Sequence, residues 1–282
     1  MQIVHDIIDL RKRIKILRDG GGTIALVPTM GALHRGHMAL IDEAKLHADH
    51  VVVSIFVNPK QFGPREDFSH YPRRAESDAA LLRPAGVALL WQPDVEAMYP
   101  AGFATTVSVA KLGDGLCGAA RPGHFDGVAT VVAKLLAQVR PDFAIFGQKD
   151  WQQLAIVRQM ARDLDSHVDI IGVPIVREDD GLALSSRNAY LSPEERQAAL
   201  TLPRALGAAA TAIEADGNVA DALTKACKRL EAAGFSPVDY VSLVDAISLE
   251  PLSQFDRDAR LLGAAKLGNT RLIDNLGLSP KK

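Results

Sequence analysis

The sequence predicts an α/β protein: a Rossmann-like parallel sheet flanked by helices, followed by a smaller α+β C-terminal domain. Three observations predict it. Short Val/Ile-rich runs alternate with segments of helical period through the first two thirds of the chain. Those runs are continuously apolar, as suits strands buried on both faces. After about residue 176 the style changes to helices followed by three consecutive β-like runs.

In chain order, MQIVHDIIDLRKRIKILRDG reads as an amphipathic helix, lacking the long apolar core and small-residue cleavage site of a signal peptide. Strands are expected at 23–29, 51–57, 87–91, 105–109, 143–147 and 168–176. Between them HMALIDEAKLHA, RRAESDAALLR, GVATVVAKLLAQV and QQLAIVRQMARDL carry helical spacing. Next, DDGL is a turn, and SPEERQAAL opens a long Ala-rich helix with Ser192 as cap and Pro193 at its first position. A second helix is expected near 218–233, and VDYVSLVD, ARLLGAAKL and TRLIDNL end the chain as strands. The expected domains are 1–176 and 177–282.

Composition narrows the function classes. In 282 residues, 48% hydrophobic and 23% charged, the balance is that of an ordinary globular protein. A net charge of -2 gives no general pull toward nucleic acid or acidic lipid, though a local basic pocket can still hold a phosphorylated ligand. Cys117 and Cys227 form neither a CxxC motif nor a disulfide framework, which suggests a reducing compartment. No apolar run approaches the roughly 20 residues needed to span a bilayer. The expectation is a cytoplasmic protein without membrane or nucleic-acid partners.

In open α/β sheets ligands gather at the carboxyl ends of the strands. Four loops there are rich in polar residues: TMGALHRGH, NPKQFG, GQKDWQQ and DDGLALSSRN. His34 and His37 in the first allow three readings. As metal ligands they lack the glutamate of an HExxH helix. As solvated helix residues they would be unremarkable, the default for His47 and His50, but these two sit beside glycines at a strand-to-helix junction. As anion binders they would add imidazole donors to a helix N-terminus, where Gly31 and Gly36 let a phosphate approach the backbone. Lys149 and Arg187 could supply positive charge, and Ser185 and Ser186 hydroxyl donors. Singly, such cations are usually solvated surface groups; placement on converging loops is what singles them out.

The spacing HRGH matches the HxGH motif of the nucleotidyltransferase superfamily related to class I aminoacyl-tRNA synthetases, and LSSRN stands where that superfamily has its second phosphate-binding motif. VPTMGALHRGH, VVVSIFVNPKQF, YPR, RPGHFDGVATVVAKL, GQKDWQQL and DGLALSSRNAYL, spanning 27–191, together resemble the pantoate-beta-alanine ligase family. The tail TRLIDN also resembles that family's C-terminal end.

The resemblance implies a reaction in two halves. The carboxylate of (R)-pantoate attacks the α-phosphate of ATP to give pantoyl adenylate and pyrophosphate; the amine of β-alanine then attacks the activated carbonyl, giving pantothenate and AMP. Mg2+ accompanies the ATP, and a homodimer through the first domain is implied. By resemblance, ATP meets Met30, Gly31, Ala32, Leu33, His34, Arg35, Gly36 and His37, then Gly147, Gln148, Lys149 and Asp150. Val176, Leu184, Ser185, Ser186 and Arg187 complete that set. His37 matches the position assigned as proton donor; Lys149 would grip the outer phosphates, and Ser185, Ser186 and Arg187 would close over them. Gln61 and Gln153 match the pantoate-holding glutamines, with Met30, Phe56, Val128, Val131 and Val132 as an apolar wall for its methyl groups. For the valines, core packing is the equal alternative. Asn58 and Asp78 match positions near the second substrate and the magnesium. Lys60 departs from the family pattern, standing where several relatives have methionine.

An acyl adenylate is exposed to water, so the second domain is the natural lid, and the Asp179-Asp180-Gly181 turn the place for it to move. Within the superfamily the main competitor is a nucleotidylyltransferase acting on a phosphorylated substrate, but Gln61 and Gln153 stand where that substrate would want basic residues. The intact histidine pair and near-neutral charge argue against a noncatalytic RNA binder.

Overall fold

The structure is a computed structural model describing residues 1–64, 66–216 and 218–280. The chain forms two compact units, Met1–Gln148 with Gln153–Pro174, and Lys149–Gln152 with Ile175–Lys282. In the first, β1 (Gln2–Val4), β2 (Ile24–Thr29), β3 (His50–Ile55), β4 (Leu89–Trp91), β5 (Phe143–Gly147) and β6 (Asp169–Val173) make one six-stranded sheet. Its order is β1-β4-β3-β2-β5-β6 and every pairing is parallel. Strand order reverses between β2 and β5, which puts the topological switch point at the carboxyl ends of those two strands.

The helices of this unit are α1 (Ile7–Arg18), α2 (Arg35–His47), α3 (Ala75–Leu82), α4 (Val95–Met98), α5 (Cys117–Ala120), α6 (His124–Val139) and, from Gln153 onward, α7 (Trp151–Asp163). Ile41 and Ala44 of α2 and Ala79 and Leu82 of α3 share a core with Val27, Val53, Leu90 and Ile145 of the sheet. The alternate strand residues Ile24, Leu26, Val52 and Leu89 are equally buried, so the opposite face is covered too, with α6 packed on β2. This two-sided burial is why the strands read as unbroken apolar runs.

The second unit is built on β7 (Phe235–Asp245), β8 (Ala259–Leu267) and β9 (Thr270–Leu278), an antiparallel meander. It is packed with α8 (Pro193–Ala199), α9 (Thr201–Asp216) and α10 (Val219–Ala232) around a core that includes Leu206, Ile213, Leu230, Phe235 and Leu261. Ser192 caps α8 as expected, in a box with Glu195, and Pro193 follows at the first helical position. Among the described residues no helix is long and apolar enough to cross a membrane.

Three expectations differ from the structure. Residues 105–109 form no strand: Thr105 and Thr106 are exposed and pair with nothing in the sheet, and the segment is tied by the Val107 N–H donating to Thr130 Oγ1 at 2.9 Å. The N-terminus is not one helix, because Gln2–Val4 adds to the sheet edge beside β4 and α1 starts only after Asp6, whose carboxylate accepts from the N–H of Ile8 and Asp9. The long Ala-rich helix is two, since Pro203 has no N–H for the Ala199 carbonyl and the turn at Leu200 tightens instead.

Two close approaches hold the loops at the carboxyl ends of the strands. The buried Asp78 carboxylate, on α3, accepts from the N–H of Ala32 and of Leu33, both at 2.9 Å, and so holds the loop that joins β2 to α2. Gly31 and Ala32 in that loop have φ of 84° and 52°. On the other side, a turn of 3-10 helix at Pro59–Gln61 lies against α6 at Gly127, where a Cβ would sit 2.2 Å from the Lys60 carbonyl oxygen. Gly127→Ala is therefore expected to destabilise the protein by about 1–3 kcal/mol through overpacking, measured by denaturant unfolding. Asp78→Asn, which leaves one loop N–H facing an amide donor, is expected to cost about 1–3 kcal/mol in the same measurement. An unchanged midpoint in either case would mean that the backbone adjusts freely there.

Candidate active site

The two histidines of HRGH cap α2 reciprocally. His34 is the N-cap, and its Nδ1 accepts from the Gly36 N–H at 3.1 Å; His37 Nδ1 accepts from the His34 N–H at 3.3 Å. Their rings lie 4.1 Å apart, centre to centre. A ring nitrogen that accepts carries no proton, so in each neutral imidazole the hydrogen sits on Nε2. The pair thus carries its imidazole hydrogens on Nε2, at a helix start whose own partial charge is positive. A helix-capping role and an anion-binding role are compatible here, and both use the same tautomer.

After β3, Asn58 is buried and makes four hydrogen bonds. Its Nδ2 donates to Gln61 Oε1 and to the Gly127 carbonyl, each at 3.0 Å. Its Oδ1 accepts from the Lys60 N–H at 3.2 Å and from the Tyr99 hydroxyl at 2.8 Å. Gln61 Nε2 in turn donates to Met30 Sδ at 3.0 Å, linking this loop to the histidine loop. The Gln61 carbonyl accepts from His124 Nδ1 at 2.8 Å and Arg121 Nη2 at 3.2 Å, and Arg121 also pairs with Glu66. Burial pushes the Glu66 carboxyl up, but the bonds from Arg121 outweigh it and the net shift is downward. Burial raises the Tyr99 phenol well above its ordinary range, which keeps it a donor.

Phe56, Val128, Val131 and Val132 are all buried beside these groups on β3's exit and α6, as either core packing or an apolar pocket wall requires. Gly147 ends β5, and the Gln148 amide donates to the Gly172 carbonyl of β6 at 3.0 Å. Gln153 lies in the first turn of α7.

Lys149 and Asp150 lie on a 3-10 turn, Gln148–Asp150, and Lys149–Gln152 belongs to the second unit. There the Lys149 carbonyl accepts from Asn275 Nδ2 at 2.9 Å, and Arg260 lies over the Trp151 ring at 3.7 Å while donating to Asn275 Oδ1 at 2.7 Å. Burial lowers Arg260 to about 10, against the attraction of Asp274. The TRLIDN tail thus holds Lys149 through its backbone. Val176 and Leu184 face each other across a hairpin, the Leu184 N–H donating to the Val176 carbonyl at 3.0 Å. Ser185 follows and caps the 3-10 helix Ser186–Tyr190, its Oγ accepting from the Arg187 N–H at 3.3 Å.

The Asp179-Asp180-Gly181 turn is the tip of that hairpin and not a joint between domains. Arg196 holds Asp180 at 2.8 Å and Glu178 at 3.2 Å, and Arg177 donates to the Gly181 carbonyl at 3.0 Å, so the tip is braced within its own unit. Sequence reasoning passed over Tyr99, Arg121 and His124, and over the Arg177–Asp274 pair, whose two bonds measure 2.7 and 3.0 Å. RPGHFDG and TRLIDN contained most of these residues, but neither block carries a chemical signature that separates brace from ligand.

A family model described as pantoate-beta-alanine ligase matches residues 2–277. The pantothenate synthetase of Rhizorhabdus wittichii is 62% identical over 280 residues, covering 99% of each chain. That of Sphingopyxis alaskensis is 63% identical over 276 residues, covering 98% of this chain and 99% of the relative. Among solved structures, pantothenate synthetase from Thermus thermophilus superimposes with a TM-score of 0.93 at 49% identity, covering 99% of this chain and 100% of that one. The pantoate-beta-alanine ligase from Francisella tularensis, described as complexed with beta-gamma ATP and beta-alanine, gives 0.84 at 32% identity, covering 98% of this chain and 97% of that one. The HRGH helix start therefore stands in a chain that belongs to the pantoate-beta-alanine ligase family.

Proposed function

We propose that the protein joins (R)-pantoate to β-alanine through a pantoyl adenylate, taking ATP to AMP and pyrophosphate. The first half needs charge stabilisation more than a base, because a carboxylate is already ionised at neutral pH and negative charge crowds at phosphorus in the transition state. The observation that carries the reading is the reciprocal capping of His34 and His37, which fixes the Nε2–H tautomer of both rings at the N-terminus of α2. In this reading those donors meet the ATP phosphates, with the backbone from Met30 to His37 as cradle. His37 is proposed to donate a hydrogen bond from Nε2 to the phosphates in the first half, and that same proton is the one it would pass on if it acts as a proton donor.

Lys149 is proposed to neutralise the outer phosphates, Asp150 and the Gly147 backbone to meet the ribose, and Ser185, Ser186 and Arg187 to complete the phosphate contacts, with Val176 and Leu184 beside the nucleotide. Gln61 and Gln153 hold pantoate through neutral amides, which neither repel its carboxylate nor offer an amine to the adenylate. The first unit is thus proposed as the nucleotide- and pantoate-binding domain and the second as a lid that keeps water from the adenylate. Mg2+ enters with ATP as part of the substrate. Asp78 is buried with both oxygens on loop N–H groups, so its proposed help to the ion is indirect, through the loop. A homodimer is proposed on the family resemblance, and a cytoplasmic setting on the scarcity of cysteine and the lack of a long apolar run in the sequence.

Exchange of labelled pyrophosphate into ATP, with pantoate present and β-alanine absent, tests the reading. Pantoate-dependent exchange is the expected result; folded protein that shows none contradicts it. His37→Ala and Lys149→Ala are each expected to lower the exchange rate on the order of 10²-fold or more, as for other charge-stabilising donors. Near-normal rates would place the phosphates elsewhere.

A further inference from the structure

A glutamine that recognises an anionic substrate must face it with its NH2 and not its carbonyl, yet the two ends of an amide are nearly the same size. Something in the protein has to choose between them. The Gln61 amide touches two described side chains, Met30 through Nε2 and Asn58 through Oε1. Thioether sulfur is a weak acceptor and selects little. The choice therefore falls to Asn58.

Asn58 itself faces two main-chain groups of fixed polarity. The Gly127 carbonyl can only accept, so Nδ2 must lie toward it; the Lys60 N–H can only donate, so Oδ1 must lie toward that. The Tyr99 hydroxyl gives Oδ1 a second donor. With the Asn58 amide locked, its remaining N–H points at Gln61, and only Oε1 can receive it. The whole relay is within the first unit, and Asn58 is 1% exposed, so water does not compete for these bonds. The Gln61 backbone is meanwhile fixed by Arg121 and His124 on its carbonyl, so the side chain can turn over while its main chain stays in place.

We infer that Asn58 and Tyr99 are positioning residues that set the polarity of the Gln61 amide, so that its NH2 is presented to the carboxylate and hydroxyl of an α-hydroxy acid. This rests on the proposed role of Gln61 toward pantoate and changes the part expected of Asn58, which acts through Gln61 and does not itself hold the second substrate. Asn58→Asp inverts the relay. The carboxylate keeps its bonds from Lys60 and Tyr99, loses the one to the Gly127 carbonyl, and has no hydrogen to give Gln61, which therefore turns its NH2 inward and faces the substrate with oxygen.

The test is a double-mutant cycle read as the pantoate concentration for half-maximal pyrophosphate exchange. Asn58→Asp is expected to raise that concentration about 10- to 100-fold, the range for a lost hydrogen bond to a charged group. Tyr99→Phe, which keeps the ring and is the gentler variant, is expected to raise it about 3-fold or more. Half-saturation by ATP should stay put in both. In a Gln61→Met background, which has no amide to orient, neither change should raise it further. An equal rise in both backgrounds, or a parallel rise for ATP, overturns the inference, since a merely structural or direct substrate role predicts that.

A second readout needs no substrate. In labelled protein the Gln61 side-chain NH2 protons should show a nuclear Overhauser contact with the Met30 methyl in the wild type, weakened in Asn58→Asp; the same contact in both proteins overturns the inference. If wild-type protein shows no pantoate-dependent exchange, the proposed reaction fails, while the contact still decides the polarity of Gln61.

Discussion

The pair of hydrogen bonds that Ala32 and Leu33 donate to the Asp78 carboxylate is the constraint on which the candidate site depends. Between the end of β2 and the start of α2 the chain must reverse within a few residues, and it does so through two successive positive φ values. Ala32 is not a residue that favours that region, so the conformation persists only where neighbours over-determine it. A buried carboxylate that accepts from two consecutive N–H groups does this. Once the loop is fixed, His34 falls at the N-cap, His37 at the third position of the first turn, and Met30 against Gln61. The same aspartate that by resemblance matches a position near the magnesium is, in the folded chain, a clamp on backbone.

Each unit holds its candidate residues by the same strategy: buried polar side chains that bind main chain. Asn58 grips Gly127 and Lys60 in the first; Asn275 grips Lys149 in the second, with Asp274 paired to Arg177. Such groups are costly to bury unless fully bonded, and their satisfaction is what makes the loops single-valued. Loops at the carboxyl end of a parallel sheet gain little from the strands beneath them. Their rigidity has to come from these contacts.

Much of this is legible in the sequence. Strands buried on both faces announce themselves as apolar runs, and the expected and observed bounds coincide for Phe143–Gly147 and Ala259–Leu267. Thr105–Val109 misleads because β-branched residues describe an extended chain and not a partner for it. Gln2–Val4 is hidden because three residues carry no period of their own and continue the apolar spacing of α1. At the site, His34, His37 and Gln61 can be named from pattern and resemblance, but Tyr99 cannot. Its contribution is a single hydroxyl brought to Asn58 across 41 residues of chain, a contact that only the fold creates.

The central claim is that this scaffold activates a carboxylate by attaching AMP to it. The most direct measurement is to run the full reaction on pantoate labelled with heavy oxygen in its carboxylate and weigh the products. If the carboxylate attacks the α-phosphate and the amine then displaces AMP, one labelled oxygen leaves with each AMP. Label appearing in inorganic phosphate, with ADP as the nucleotide product, would mean activation at the outer phosphate and would contradict the account.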